Sequence, residues 1–397
     1  MADNYVHDYE PDYEHGERND EKNSSSDAKE HSDEGDNEDV EHDNYSSRDQ
    51  YDDRQFNFFY TSGEELAHFA ALEQAGKKPD IFLAAKTGNV AIMREFVDGG
   101  WMKYYPALKP DAEGNCPLMW AAVKGHEPIV RLYAENMPDK YINGASGHYP
   151  LIMASMWGHT AVVKTMIEFG QDVNARADDS ALHFAAQFGY IDVVKALVEA
   201  GADIGALNSL DDKAINLAVI EGRAEVVVYL LNEMEKIGME VHPSNLIYPA
   251  VELEKEDLIR ALLKRYDKEV GKTALFKAVA LKNEKMVRFL LEDIGIDVNA
   301  QKSDGQDPLF RAVEMNNEAM VKLLLDKGAA VDRPVYEMPS ILSWAGLFGH
   351  VPIVQLILDK GADATVKDKD GRTPLEWAEI KGHAKAVELL KQHMSSP

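Results

Sequence analysis

The chain contains a single cysteine, Cys116, among its 397 residues. One thiol excludes an intrachain disulfide and any zinc site built from several thiolates. No run approaches the roughly 18 apolar residues that a membrane-spanning helix needs. The opening residues, MADNYVHDYE, lack the basic and apolar parts of a signal peptide. We therefore expect a soluble protein of the cytoplasm or, alternatively, the nucleus, with no insertion into a membrane.

Positive charge is scarce, and its deficit is uneven. The formal net charge is -27, and residues 1–54 hold 20 Asp/Glu against 5 Lys/Arg, a net of -15 that leaves -12 for the remaining 343 residues. Binding to nucleic acid needs clustered Lys and Arg. We therefore do not expect nucleic acid as a partner.

Motifs for catalysis are also missing from the sequence. There is no GxxxxGK[ST] loop, and the 13 histidines do not pair at metal-ligand spacing on a predicted helix. The stretch DKDGR (368–372) lacks the distal carboxylates of a calcium loop and fits a tight turn instead. The sequence predicts a protein that is not an enzyme and has no cofactor and no metal site.

One short phrase dominates what is present: Leu or Ile, two variable residues, then a small residue. It begins near residues 80, 117, 150, 181, 214, 245, 274, 308, 341 and 374. Clear copies are PLMWAA (117–122), ALHFAA (181–186) and PLEWAE (374–379). A period near 33 residues indicates a solenoid, in which each unit buries its apolar side chains only against its neighbours.

Residues 177–208 show how one unit is organised. A short helix is predicted from Ala181, with Gly189 as its stop. A second helix follows over IDVVKALVEAG (191–201), with its valines and leucines on one face. The fold class is therefore all-α.

These phrases resemble the ankyrin repeat over about residues 78–394. The stretch GRTPLEWAEIKGH (371–383) is similar to the family's G-x-T-P-L-x-x-A-x-x-x-G-H phrase, and GADIGAL (201–207) to its G-A-D-V-N-A ending. The resemblance implies a solenoid of stacked helix-turn-helix units with hairpin-like fingers and a curved groove. It also implies that Thr273, Thr373 and His183 fill the family's Thr and His positions at helix starts, a polar clamp that most units here lack.

Three departures from the repeat pattern divide the chain. Residues 1–55 form a predicted disordered acidic tail. Residues 56–77 contain FNFFY (56–60), and a capping box of Ser62 and Glu65 predicts a helix from about 63 to 75 that covers the first repeat. A hinge is one interpretation of residues 232–270, because Pro249 falls inside a helix and residues 242–270 contain no glycine stop, and a divergent but rigid repeat is the other.

In the family that this chain resembles, the two residues before the Gly-His corner face the groove. Here these positions form an apolar series, which predicts a partner-binding surface. Its members are Met156, Trp157, Phe188, Ile220, Leu281, Met315, Leu347 and Phe348. The alternative is that the first residue of each pair belongs to the core. A further hypothesis is that FNFFY folds back and masks this groove.

The sequence thus predicts a monomeric scaffold or adaptor that binds a partner protein through its groove and finger tips. An alternative function is a regulatory or effector protein whose acidic tail engages a basic partner such as histones while the repeats select the target.

Overall fold

A computed structural model describes residues 80–99, 116–136, 148–175, 179–302, 305–334 and 338–395. Within these ranges the chain forms twenty α-helices in ten consecutive pairs, which we call units one to ten. The first helices of the pairs are α1 (Ile81–Thr87), α3 (Pro117–Lys124), α5 (His148–Met156), α7 (Ala181–Phe188), α9 (Ala214–Ile220), α11 (Ser244–Glu252), α13 (Lys268–Ala280), α15 (Pro308–Glu314), α17 (Ile341–Phe348) and α19 (Pro374–Ile380).

The second helix of each unit packs against the first. These helices are α2 (Val90–Asp98), α4 (Glu127–Asn136), α6 (Thr160–Glu168), α8 (Ile191–Glu199), α10 (Ala224–Lys236), α12 (Glu256–Arg265), α14 (Glu284–Arg288), α16 (Glu318–Asp326), α18 (Val351–Asp359) and α20 (Ala384–Ser395). Helix α14 continues as a π-helical segment over Phe289–Asp293. Among the described residues, no helix combines the length and the apolar character needed to cross a bilayer.

Stacking of like helices joins the units. Every first helix contacts the first helix of the next unit, from α1 through α19. Small buried side chains such as Ala84, Ala121, Ala185 and Ala345 lie in these contacts. Because alanine is small, it lets neighbouring first helices approach closely. The predicted all-α repeat architecture is confirmed.

Capping groups set the helix starts in several units. In α7 the predicted His183 completes a capping box with Ser180, and its Nε2 also reaches the carbonyls of Ala206 and Asp212 at 3.2 and 3.1 Å. In α19 Thr373 and Glu376 form a second capping box. Units without the family's Thr and His use other caps: Asp80, Asp307 and Ser340 accept from backbone N–H groups of α1, α15 and α17.

The role predicted for Thr273 is wrong. Helix α13 begins six residues earlier than the repeated phrase suggests, and Asp267 caps it by accepting from the Glu269 N–H at 3.0 Å. Thr273 therefore lies inside the helix, where its hydroxyl donates to the Glu269 carbonyl at 2.9 Å. The reason is that residues 268–273 continue the helical hydrogen bonding, and Val270 and Gly271 are buried.

Hairpin-like fingers connect some of the units. Backbone N–H groups of Asn208 and Asp368 donate to the carbonyls of Asp212 and Arg372, each at 2.9 Å, and close two such turns. In the finger at residues 368–372, one carboxylate oxygen of Asp368 accepts from the Asp370 and Arg372 N–H groups at 2.9 and 2.7 Å. That stretch is a finger tip, as its sequence predicts.

Unit six follows the general pattern despite its sequence. Pro249 lies inside α11, and Glu254 adopts the positive φ, 53°, that a glycine supplies elsewhere. Helix α11 contacts both α9 and α13. The hinge at 232–270 stays a prediction. The acidic tail, FNFFY and the capping helix at 63–75 lie outside the described residues.

Candidate functional site

The eight predicted partner-binding residues lie at one end of the first helices. Each is within the last turn of α5, α7, α9, α13, α15 or α17, or directly follows it. We call the surface formed by these last turns and the residue after each the first-helix face. Because consecutive first helices contact one another, this face runs through successive units.

Exposure separates the eight residues into two groups. The side chains of Trp157, Ile220 and Leu281 are 47%, 43% and 39% exposed. The other five have intermediate exposure, and Met156, Phe188 and Phe348 pack partly against the core. None of the eight is fully buried. The alternative assignment to the core therefore does not hold for Ile220, whereas Met156 does contribute to it.

The structure brings the predicted residues together in two stretches. Met156 and Trp157, Phe188 and Ile220 lie on the contacting helices α5, α7 and α9. Leu281, Met315, and Leu347 with Phe348 lie at the ends of the contacting helices α13, α15 and α17. Helix α11 separates the two stretches, and none of the eight residues belongs to it.

Two exposed residues of α11 and its end fill that gap. Leu253 and Tyr248 are both 44% exposed. Leu253 directly precedes Glu254, the positive-φ residue that ends the helix, so it occupies the same position as Trp157 and Leu281. The sequence signal was the spacing of about 32 residues from Glu221, the residue before Gly222, and this spacing does not depend on a glycine at position 254.

Three tryptophans on first helices were also missed. Trp120, Trp344 and Trp377 occupy the fourth residue of α3, α17 and α19. The rings of Trp344 and Phe348 stack with centroids 5.5 Å apart, and Trp344 meets the buried Phe310 edge-on at 5.2 Å. All three stand at the same place in the repeated phrase, and this common position was the sequence signal that could have identified them.

A repeated corner between units holds the first-helix face in place. His159 begins the second helix of unit three and lies over Gly125 of unit two, where an added Cβ would come within 2.6 Å of its Nδ1. Its Nε2 is 2.8 Å from the carbonyl of Val123, so the ring donates a hydrogen bond across the unit boundary. His126 and His383 make the same contact to Lys86 and Leu347 at 3.3 and 3.0 Å.

Charges on this face are distributed unevenly. In the middle units they are paired, since Lys277 contacts Glu252 at 3.0 Å and Arg311 contacts Glu314 at 2.5 Å. Helices α1, α3, α5 and α7 contain no aspartate or glutamate, and they carry Lys86 and Lys124. Both lysines are exposed, and their Nζ atoms lie 4.2 and 5.9 Å from the ring centroid of Trp120.

One histidine beside this face has a shifted pKa. Burial lowers the pKa of His350, and the neighbouring His383 lowers it further. The ring of His350 lies 5.5 Å from that of Phe348. A neutral imidazole is favoured here, which keeps the aromatic end of unit nine uncharged near neutral pH.

The second helices present different chemistry. Their charged side chains pair across unit boundaries: Arg131 with Glu168 at 3.1 Å, Arg265 with Glu235 at 2.7 Å, and Lys360 with Asp326 at 2.9 Å. Thr165, which is buried, joins this network by donating to Glu127 at 2.9 Å. The first-helix face therefore carries several exposed apolar side chains, while the second helices carry ion pairs across unit boundaries.

The family comparison agrees with this architecture. A family model described as "Ankyrin repeats (3 copies)" matches residues 129–208, 246–335 and 337–397, more than half of the chain. The chain belongs to the ankyrin-repeat family. Ankyrin repeats are generally modules for protein–protein interaction, and further helices of the array lie before residue 129 and between residues 208 and 246.

Individual relatives match only in part. The mouse protein "Ankyrin repeat and SAM domain-containing protein 6" is 30% identical over 113 residues, which is 28% of this chain and 12% of the mouse protein. The chain thus spans about an eighth of that relative. The solved ankyrin repeat domain of Bcl-3, described as a unique member of the IkappaB protein family, is 27% identical, with 61% of this chain and 97% of that chain covered and a TM-score of 0.34.

Proposed function

We propose that this ankyrin-repeat protein is a scaffold or adaptor that binds a partner protein on the first-helix face. The observation that carries the proposal is a set of exposed apolar side chains at the ends of first helices: Trp157 in unit three, Ile220 in unit five, Leu253 in unit six and Leu281 in unit seven. Scattered apolar residues are normal on a protein surface, but a contiguous exposed row marks an interaction site.

Aromatic residues supply the anchors for such an interface. Trp157 is half-exposed at the end of α5, and Phe188 of the contacting helix α7 packs beside the core with its ring 6.3 Å from that of Tyr190. A large, well-supported ring loses little conformational freedom on binding, which is why tryptophan is enriched among binding hot spots. The hydrogen-bonded corners fix the spacing of these anchors from one unit to the next.

Affinity capture with the full-length chain tests the proposal. We expect the double variant Trp157→Ala/Phe188→Ala to lose about 30-fold or more in affinity for captured partners, the effect of removing a hot spot. The matched control is Ile237→Ala, which removes a side chain that is 62% exposed at the end of α10, away from the first-helix face. Partners retained by the double variant and lost with the control would contradict the proposal.

A further inference from the structure

One finger of the array differs from its counterpart at the tip. The turns at residues 208–212 and 368–372 are closed in the same way, because the first N–H group of each donates to the last carbonyl at 2.9 Å. The tip residue of the second turn is Asp370. The equivalent residue of the first turn is Leu210, whose side chain is 77% exposed. No other large apolar side chain of the described residues is as exposed.

The residue after this leucine has a strained backbone. Asp211 has φ of 63°, whereas the equivalent residue of the other turn is Gly371 with φ of 83°. A left-handed backbone is less favourable for a residue with a Cβ than for glycine. Strained residues of this kind are found preferentially at functional sites. The turn at 208–212 therefore holds a strained acidic residue directly beside an exposed leucine.

Hydrogen bonds hold this turn in one conformation. Oδ1 of Asn208 accepts from the N–H groups of Leu210 and Asp212 at 3.0 and 2.8 Å. The carbonyl of Asp212 also lies 3.1 Å from Nε2 of His183, which connects the turn to helix α7 of unit four. Because the turn is already ordered, a contact through Leu210 loses little conformational entropy on binding.

The row of fingers is interrupted directly after this one. Residues 200–213, fourteen in all, connect α8 to α9 and include the turn. Only the seven residues 237–243 connect α10 to α11, and only Tyr266 and Asp267 connect α12 to α13. These connections are too short for a finger of the same length. A folded partner can therefore approach the tip from the side that the next finger would otherwise cover.

The charges of the tip indicate the chemistry of such a partner. Asp211 and Asp212 directly follow Leu210, and with one lysine, Lys213, they leave the turn acidic. Asp211 is exposed, and no ion pair among the described residues includes it. An apolar anchor beside a carboxylate is complementary to an apolar pocket with a basic rim. The net charge of -27 disfavours a second copy of this chain as the occupant, since like charges repel.

We propose that the turn at 208–212 is a second binding site of this protein, with Leu210 at its centre. Leu210 enters an apolar pocket of a partner protein, and lysine or arginine side chains at the rim of that pocket contact Asp211. The turn precedes the first residue of α9, whereas Ile220 of the first-helix face is the last residue of that helix. The site is therefore separate from the first-helix face and does not rest on the proposed function.

Photo-crosslinking from the full-length chain in a cell lysate tests this site. A photoreactive leucine analogue is placed at position 210 or, as the matched control, at position 370, which is the equivalent tip of the other turn. The control reports the adducts that any exposed apolar residue on such a turn would form. We expect position 210 to give one dominant protein adduct at about fivefold or more the yield of position 370. Mass spectrometry should place the linked residue in an apolar pocket with lysine or arginine at its rim.

Binding of the crosslinked protein, in purified form, then measures what each side chain contributes. We expect Leu210→Asp to weaken binding by about 30-fold or more, the effect of removing a hot spot. Asp211→Gly should weaken binding about threefold, since it removes a charge, and should also raise stability in urea unfolding, since it relieves the backbone. Asp370→Leu should leave binding unchanged. Because Leu210 is exposed, an unchanged unfolding transition in Leu210→Asp should show that the fold is intact.

Equal adduct yields from positions 210 and 370 would overturn the inference, and so would a linked residue that lies outside an apolar pocket with a basic rim. Adducts between isotope-labelled and unlabelled copies of this chain would identify a second copy as the occupant and would overturn it as well. The variant Trp157→Ala/Phe188→Ala separates this site from the proposed function. Binding that depends on Leu210 and not on these two residues would support this site alone, and the opposite pattern would leave only the first-helix face.

Discussion

Replacing Gly125 by alanine should destabilise the array more than the same change at a glycine that has no neighbour. Gly125 has φ of +74°, and an added Cβ would lie 2.6 Å from Nδ1 and 2.8 Å from Cε1 of His159. Gly201 has φ of +90° with no atom within 4 Å of the Cβ position. Both variants place alanine in a left-handed backbone, but only one displaces the ring of the next unit.

The expected magnitudes follow from these two contributions. A left-handed conformation costs a residue with a Cβ about 1–2 kcal/mol. At Gly125 the ring must also move, which breaks the 2.8 Å hydrogen bond from His159 to the Val123 carbonyl at a cost of about 1 kcal/mol. We therefore expect Gly125→Ala to lower the free energy of unfolding by about 1 kcal/mol more than Gly201→Ala.

A double-mutant cycle isolates the contact between units. Urea unfolding and hydrogen exchange in units two and three are measured for Gly125→Ala, His159→Ala and the combination, because repeat arrays do not always unfold as one cooperative body. The predicted coupling is about 1 kcal/mol. Equal costs for Gly125→Ala and Gly201→Ala, or a coupling within about 0.3 kcal/mol of zero, would refute the idea that these corners couple the units.

Two further predictions concern stability. Lys282 is exposed, has φ of +57° and stands where most units have glycine. Lys282→Gly should therefore raise the free energy of unfolding by about 1 kcal/mol, and Asn316→Gly should raise it by less because asparagine tolerates this backbone. A loss of stability in urea unfolding would contradict this prediction. Because the pKa of His350 is lowered in the folded chain, the unfolded chain binds more protons at this residue near and below pH 6.5, the ordinary pKa of histidine. The contribution of His350 to the free energy of unfolding is therefore complete above pH 6.5 and is lost progressively as the pH falls below it. The His350→Gln variant should lose less stability than the wild type between pH 7 and pH 5, and identical pH profiles would argue against this contribution.

Repetition in the sequence was enough to predict most helix starts. Helices α3, α7, α9, α15, α17 and α19 begin at the first residue of the phrase or one residue from it. The phrase predicts helix starts because its Leu or Ile and its small residue are buried in the contacts between first helices. It failed at α13, where Asp267 supplies a cap that the phrase does not contain.

The candidate site was only partly predictable. Counting along the repeats located Trp157 and Leu281, but unit six was passed over as too divergent, although Glu254 there adopts the positive φ that ends the helix after Leu253. Exposure depends on the neighbouring unit as well as on the residue's own helix. Neighbouring residues such as Met156 and Trp157 therefore differ in burial, and the sequence of one unit cannot decide between them.

Photo-crosslinking tests the central claim that the first-helix face is the partner's contact surface. A photoreactive residue is placed in the full-length chain at position 157, 220 or 281, or at position 237 as the control, and is irradiated with the captured partner present. We predict adducts to the same partner from the three positions of the face and none from position 237. Adducts from position 237 alone would contradict the claim.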